Sequence, residues 1–261
     1  MPQTALIRGV ADIGSAVAHR LFGAGYNVVL HDEPQPATTR RKMGFADAVF
    51  DGVATLEGVE ARRASDVVAI RECFAQRLVA VYVGPFQTLV TAFKPDVLVD
   101  ARMRKRAVPE NQRGLATVTV GLGPNFKVGV TCDIAVETSW KQLGVVFQDG
   151  APLALAGEPR ELAGHARDRY VYAPHGGTFR TEARIGDDVS AGQPIAAIDE
   201  TILTTPLGGI LRGLTHDGVP VARNTKVIEV DPRGGAAEVI GISERPRRIA
   251  DGVMEAIGAR A

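Results

Sequence analysis

The chain has 261 residues, 45% of them hydrophobic and 23% charged, and its 30 basic and 30 acidic side chains leave a formal net charge of zero. That is enough chain for two domains with cores of their own. The neutral balance, scarce aromatics and absence of any apolar run near the ~18 residues that span a bilayer leave no reason to expect nucleic acid or a membrane as partner.

The N-terminus, Met1 to Arg8, has no basic segment followed by a long apolar stretch, so no signal peptide is expected and the chain reads as cytoplasmic. Thr4-Ala5-Leu6-Ile7 is a short apolar run that ends in Arg8-Gly9-Val10-Ala11-Asp12-Ile13-Gly14. Ala16, Val17, Leu21 and Ala24 then recur at helical spacing, Gly25 stops them, and Val28-Val29-Leu30 forms a second run closed by Asp32. Strand, glycine turn, helix, strand is a βαβ order. Gly9 suits the tight turn and Gly14 a close helix–strand approach. Ala11 stands where a glycine normally admits a pyrophosphate, with Asp12 beside it, and Asp32 stands where a ribose-binding carboxylate belongs.

Arg40 and Arg41, with Lys42, form a cationic triplet that reads either as an anion holder or as a solvated helix start. Residues 78–83 and 96–100 read as buried parallel strands, with a short helix near Gln87 to Phe93 between them. The second strand ends in Asp100-Ala101-Arg102, at the edge where open α/β sheets gather ligands. Residues 117–120 form another strand, and its exit, with Gly121 and Gly123, reads equally as an anion-binding turn or a bend. Residues 133–138 alternate as a half-exposed strand would. Cys73 and Cys132 stand alone, so a metal site is not expected.

Residues 173–199 match residues 205–231 at a constant offset of 32: Pro174 with Pro206, Gly177 with Gly209, Gly186 with Gly218, Asp199 with Asp231. Turn glycines falling on turn glycines mark a duplication, each copy a hairpin-rich half of one small sandwich. Ala173 to Gly177 and Ile185 to Ile195 resemble biotinyl and lipoyl carrier domains. The hairpin that bears the modified lysine in those carriers is here Asp199 to Thr204, and no lysine lies between Lys141 and Lys226. Covalent biotin or lipoate is therefore not expected. Ile202 and Leu203 on that hairpin are apolar enough to dock on the first domain or on a second copy. Ser243 reads as the cap of a final helix carrying Ile249, Val253 and Ile257.

The expected fold class is α/β, a Rossmann-like N-terminal domain with a β-rich C-terminal barrel-sandwich of the biotinyl/lipoyl kind. Its expected parts are a nucleotide-binding domain over 1–148, a connector over 149–168, the duplicated module over 169–233 and a helical tail over 234–261. Many short phrases in order resemble the bacterial selenium-dependent molybdenum hydroxylase accessory family. They include Arg8-Gly9 through Asp12, Pro36 through Arg41, Asp100-Ala101-Arg102, Gly121-Leu122-Gly123-Pro124, Leu211-Arg212-Gly213-Leu214 and Val230-Asp231-Pro232-Arg233. The resemblance implies maturation or cofactor insertion for a molybdenum hydroxylase as partner, with a nucleotide or molybdopterin nucleotide at the glycine edge. An NAD(P)-dependent oxidoreductase and a non-catalytic scaffold with a degenerate nucleotide pocket are the alternatives. Catalysis itself and self-association stay open.

Overall fold

The protein is seen in a computed structural model that describes residues 2–104, 107–154 and 159–259. A first layer starts with β1 (Thr4–Arg8), α1 (Asp12–Gly23) and β2 (Asn27–His31), followed by the one-turn α2 (Asp47–Asp51). β3 (Val53–Leu56) and β4 (Val59–Ala64) form a hairpin whose Glu57-Gly58 turn has both φ values positive, at 44° and 82°. That geometry matches the right-handed twist of the strands it joins. Then come α3 (Val67–Ala75), β5 (Val79–Tyr82), α4 (Phe86–Phe93) and β6 (Val97–Asp100). β7 (Val118–Leu122), β8 (Ile134–Val136) and β9 (Val146–Phe147) complete a nine-stranded sheet in the order β3-β4-β5-β2-β1-β6-β7-β8-β9.

Strand alternation sorts the apolar side chains into two cores, one on each face of this sheet. Ala5 and Ile7 face a core shared with α1, whereas Leu6 and Leu98 face Ile70 of α3 and Leu89 of α4. Asp66 caps α3 by accepting from the N–H groups of Val68 and Ala69, at 2.8 and 2.9 Å.

The expected Rossmann-like domain is corrected to a large mixed sheet with few helices. Its two edges, β3 on β4 and β9 on β8, are antiparallel. No α-helix is described between β6 and β7 or between β7 and β8, so those crossovers leave one face uncovered. The last helix of the chain, α5 (Glu244–Gly258), fills that place, with Ile249, Val253 and Ala256 fully buried beside α1 and strands β7 to β9. The stretch 133–138 is also corrected. Ile134, Ala135 and Val136 are all buried, because α5 covers one side of β8 and Phe126 and Cys132 the other.

The second part begins with β10 (Tyr170–Tyr172), β11 (Gly177–Arg180), β12 (Asp188–Val189) and β13 (Pro194–Ile198). It ends with β14 (Thr201–Thr204), β15 (Gly209–Leu214), β16 (Pro220–Val221) and β17 (Lys226–Asp231). Two four-stranded sheets result, β10-β17-β15-β12 and β14-β13-β11-β16. The expected biotinyl/lipoyl-like barrel-sandwich of two hairpin-rich halves is overturned as well, for two reasons. Strands of the two copies exchange, since β12 pairs with β15 and β16 with β11. β10, from ahead of the duplicated stretch, adds to one sheet, and the body is fastened to the first layer: Leu214 N donates to Thr39 O at 2.8 Å, and Arg41 Nε to Leu214 O at 2.9 Å. Leu203 is buried in this second core, but Ile202 is 66% exposed and does not dock on the first layer. Residues 155–158 of the expected connector and 260–261 of the expected tail lie outside the described residues.

Candidate functional site

The glycine turn after β1 is shaped by packing. A Cβ on Gly14 would sit 1.9 Å from the carbonyl oxygen of Gly9, so only glycine lets α1 start this close to the turn. A Cβ on Gly9, which sits at φ +110°, would stand 3.0 Å from the Ala101 backbone just past β6. Ala11 occupies the N-cap of α1 and supplies no side-chain cap. The Asp32 carboxylate accepts from Val10 N and Glu33 N, each at 2.8 Å. It closes over the turn, and burial raises its pKa even against those two bonds.

Asp100 and Arg102 face each other. Arg102 Nε donates to both Asp100 oxygens at 2.9 and 3.1 Å, and Gln112 Nε2 donates to Asp100 as well. Glu110 joins them, accepting from Arg8 at 2.6 Å and Arg102 at 2.9 Å. Burial works against its charge, but its backbone N–H and these two arginines hold the Glu110 carboxyl down at about 2. The hollow beside the network, bordered by Met103, Leu122 and Phe126, measures about 20 Å³. That is room for one water. Gly121 makes way for the Phe126 ring, 2.1 Å from where its Cβ would be, and Gly123 for the Thr138 hydroxyl at 2.6 Å. Arg41 is spent on Asp47 and on Leu214 O, and with Lys42 and Asp47 it borders an open groove of about 250 Å³.

Asp12 and Arg40 are brought together, in company the sequence reading missed. Arg40 Nη1 donates to Asp12 at 3.0 Å, while its Nε and Nη2 hold both oxygens of Glu229, on β17, at 3.0 and 2.9 Å. Glu229 is fully buried and also takes Arg169 Nη1 at 2.7 Å and Lys226 Nζ at 3.1 Å, with Arg212 3.6 Å away. Arg245, in the first turn of α5, donates Nε and Nη2 to Thr138 O at 3.0 and 2.9 Å. Among the described residues no carboxylate pairs with it at contact distance. Its charge nevertheless reaches Asp12: burial pushes that carboxyl up, but Arg40, Arg245 and Lys226 together pull it below its ordinary value. Burial likewise opposes the charge on Glu229, and Lys226, Arg40 and Arg169 hold it well below the carboxylate range. Lys226 and Arg245 are both pushed down, by burial first and by neighbouring Arg40 as well.

Part of this cluster is open. The side chains of Asp12, Arg40 and Lys226 are 16%, 19% and 31% exposed, and Arg245 is half-buried. Glu229 and Arg169 lie buried beside them. Asp12 feels the charge of Arg245 and Arg20 pairs with Asp251, so α1 and α5 run parallel and both begin at this cluster. Two positive helix ends therefore point at it. A basic residue in the first turn of a helix opposes the helix dipole, and Arg245 carried that signal in the sequence. Lys226 and Glu229 left none, because their strand is otherwise an ordinary apolar run.

No family model matches the chain. A protein of Escherichia coli K12 described as "Uncharacterized protein YqeB" is 37% identical over 258 residues, which is 98% of this chain and 47% of that protein. The chain thus spans about half the length of the curated relative it matches. A solved succinylglutamate desuccinylase/aspartoacylase from Rhodobacter sphaeroides is 15% identical over 82% of this chain and 61% of its own, with a TM-score of 0.24. The apo ectoine utilization protein EutE (DoeB) from Ruegeria pomeroyi is 11% identical over 89% and 86%, with a TM-score of 0.26. Likeness this low transfers no activity. None of these proteins points to a molybdenum hydroxylase accessory family, so that resemblance does not stand. With it fall the maturation role, the nucleotide or pterin-nucleotide ligand, the NAD(P) oxidoreductase and the degenerate-pocket scaffold. No helix of the described residues is long and apolar enough to cross a membrane.

Proposed function

We propose that this chain binds a small anion at the partly exposed cluster of Asp12, Arg40, Lys226 and Arg245. One observation carries the reading: among the described residues the cluster gathers five cations, Arg40, Arg169, Arg212, Lys226 and Arg245, around the carboxylates of Asp12 and Glu229. Like charges this close repel in a partly dehydrated site, and burying them without compensation is costly. An anion at the exposed side of the cluster relieves both terms. Two helix N-termini aimed at the same point add to the attraction.

Thermal melts with added sulfate, phosphate or acetate test this at fixed ionic strength. A specific anion at 100 times its Kd stabilises the fold by about 2.7 kcal/mol and raises Tm accordingly. Lys226→Met combined with Arg245→Met is expected to abolish the rise. An equal rise in that variant, or none in the native chain with any anion, sinks the reading.

A further inference from the structure

We infer that β3, an edge strand of the nine-stranded sheet, pairs antiparallel with β3 of a second copy of this chain, so that the two sheets join across a twofold axis at Ala54. The inference stands apart from anion binding, which neither needs nor forbids a second copy.

The ladder shows which groups of β3 are unmet. Arg63 N donates to Gly52 O at 2.8 Å, and the register continues Val53 on Arg62, Ala54 on Ala61, Thr55 on Glu60 and Leu56 on Val59 with no bulge. Antiparallel pairs alternate between bonded and non-bonded. Ala54 and Leu56 therefore turn their N–H and C=O groups to β4, while Val53 and Thr55 turn theirs outward. Among the described residues nothing takes those four outward groups. Edge strands are ordinarily blunted by lysine, proline, a bulge or a covering segment. Val53-Ala54-Thr55 has none of the first three. In place of a cover, these residues line the open groove of about 250 Å³ that Arg41, Lys42 and Asp47 border. The opposite edge of the sheet, β9, is only two residues long and offers far less.

The groove suits an uncharged strand. Arg41 and Lys42 are both paired with Asp47, and Asp51 adds a second carboxylate, so the charges along it sum to zero. No ion is called for, and a buried charge would go unpaired. β3 itself is Val-Ala-Thr-Leu, uncharged and with short side chains. Setting Val53 opposite Thr55 of the second copy, and Thr55 opposite its Val53, is the one register that uses all four outward groups of both strands. The two Ala54 residues then meet at the non-bonded position, where side chains come closest and a methyl group fits. A free peptide laid on β3 would leave its own far edge open, whereas a second β3 closes both edges at once. Apolar surface lies at the same edge. Val53 is 47% exposed, and Ile240, 73% exposed, is held near the end of β3 by the bond from Ile242 N to Glu57 at 2.8 Å.

Sedimentation velocity over a dilution series tests this. The contact is small, so the native chain is expected to run as a dimer when concentrated and to dissociate on dilution through roughly the micromolar range. Thr55→Pro removes an outward N–H while sparing the bonds of Ala54 and Leu56 to β4, and should weaken association by roughly tenfold or more. Val53→Lys keeps every backbone group and should weaken it likewise, with the fold checked by thermal melts. Hydrogen exchange gives a second readout: the Val53 and Thr55 amides should be protected at high concentration and exchange freely after dilution. Ile202→Lys, on the exposed hairpin of the second body, should leave association unchanged. A chain that stays monomeric throughout the series overturns the inference, as does a dimer that survives both β3 substitutions or leaves those two amides unprotected. Dissociation by Ile202→Lys would move the contact to that hairpin and overturn it too.

Discussion

Glu229 holds more charge around itself than any other described carboxylate of the chain. Its two oxygens face Arg40, Arg169 and Lys226 with no solvent access. Replacing it with Gln keeps the shape and two acceptor lone pairs but removes the charge, so three or more cations confront one another. Breaking a buried pair from one side costs about 3–5 kcal/mol, and Glu229→Gln is expected to lose that much in urea unfolding at pH 7. The pH dependence has a definite sign. A carboxyl whose folded pKa lies well below its ordinary 4.5 contributes its full stability above pH 4.5 and loses it as pH falls toward the folded value. Native stability should therefore decline with acidification below that point, and Glu229→Gln should decline less. Parallel curves would show that Glu229 is not the linked group. Asp12 and Arg40 were legible in the sequence because they flank a glycine turn and a cationic triplet. Glu229 was not, since its bond to Arg40 joins positions 189 residues apart and no local pattern records such a meeting.

At the scale of elements, short continuous apolar runs made the central strands readable, and helical spacing of Ile249, Val253 and Ile257 made α5 readable. What α5 covers was not readable, because nothing local says that the crossovers around β7 lack helices. The contact depends on close approach. A Cβ on Gly252 would stand 2.2 Å from the carbonyl oxygen of Gly144, in the turn between β8 and β9. Gly252→Val must push α5 off that turn, and overpacking of this kind costs about 1–3 kcal/mol. Since α5 carries Arg245 to the charged cluster, the shift should weaken anion binding along with stability. Gly258→Ala, on the same helix with open space around it, should change neither. If Gly252→Val melts like the native chain, the helix does not dock as described. The exchange of strands between the two copies was equally hidden, because the offset of 32 residues reports similarity of the copies and says nothing about which strand pairs with which.

At the scale of the whole molecule, two cores meet through a narrow set of contacts. The sheet layer and the second body each have their own apolar cluster, and Phe50 packs against both. Its ring stacks on His216 at 4.1 Å between centroids, 11° from parallel. Beside it run the bond from Leu214 N to Thr39 O, the bond from Arg41 Nε to Leu214 O and the Arg40–Glu229 pair. The charged cluster thus depends on the junction: Asp12 of α1 and Arg40 come from one side, and β17 supplies Lys226 and Glu229 from the other. Anything that loosens the junction should dismantle the site before either core unfolds. Phe50→Ala removes the shared ring while sparing every charged group of the cluster, at a cost of about 2 kcal/mol for a partly buried phenyl group. Calorimetry of the native chain is expected to give one transition, and Phe50→Ala two, with the lower one abolishing anion binding as followed by titration below and above it. Added sulfate should raise that lower transition and draw the two together, since a ligand held by both bodies stabilises only the joined state. A single transition in Phe50→Ala, unmoved by sulfate, would mean that the two bodies are held by something other than this seam.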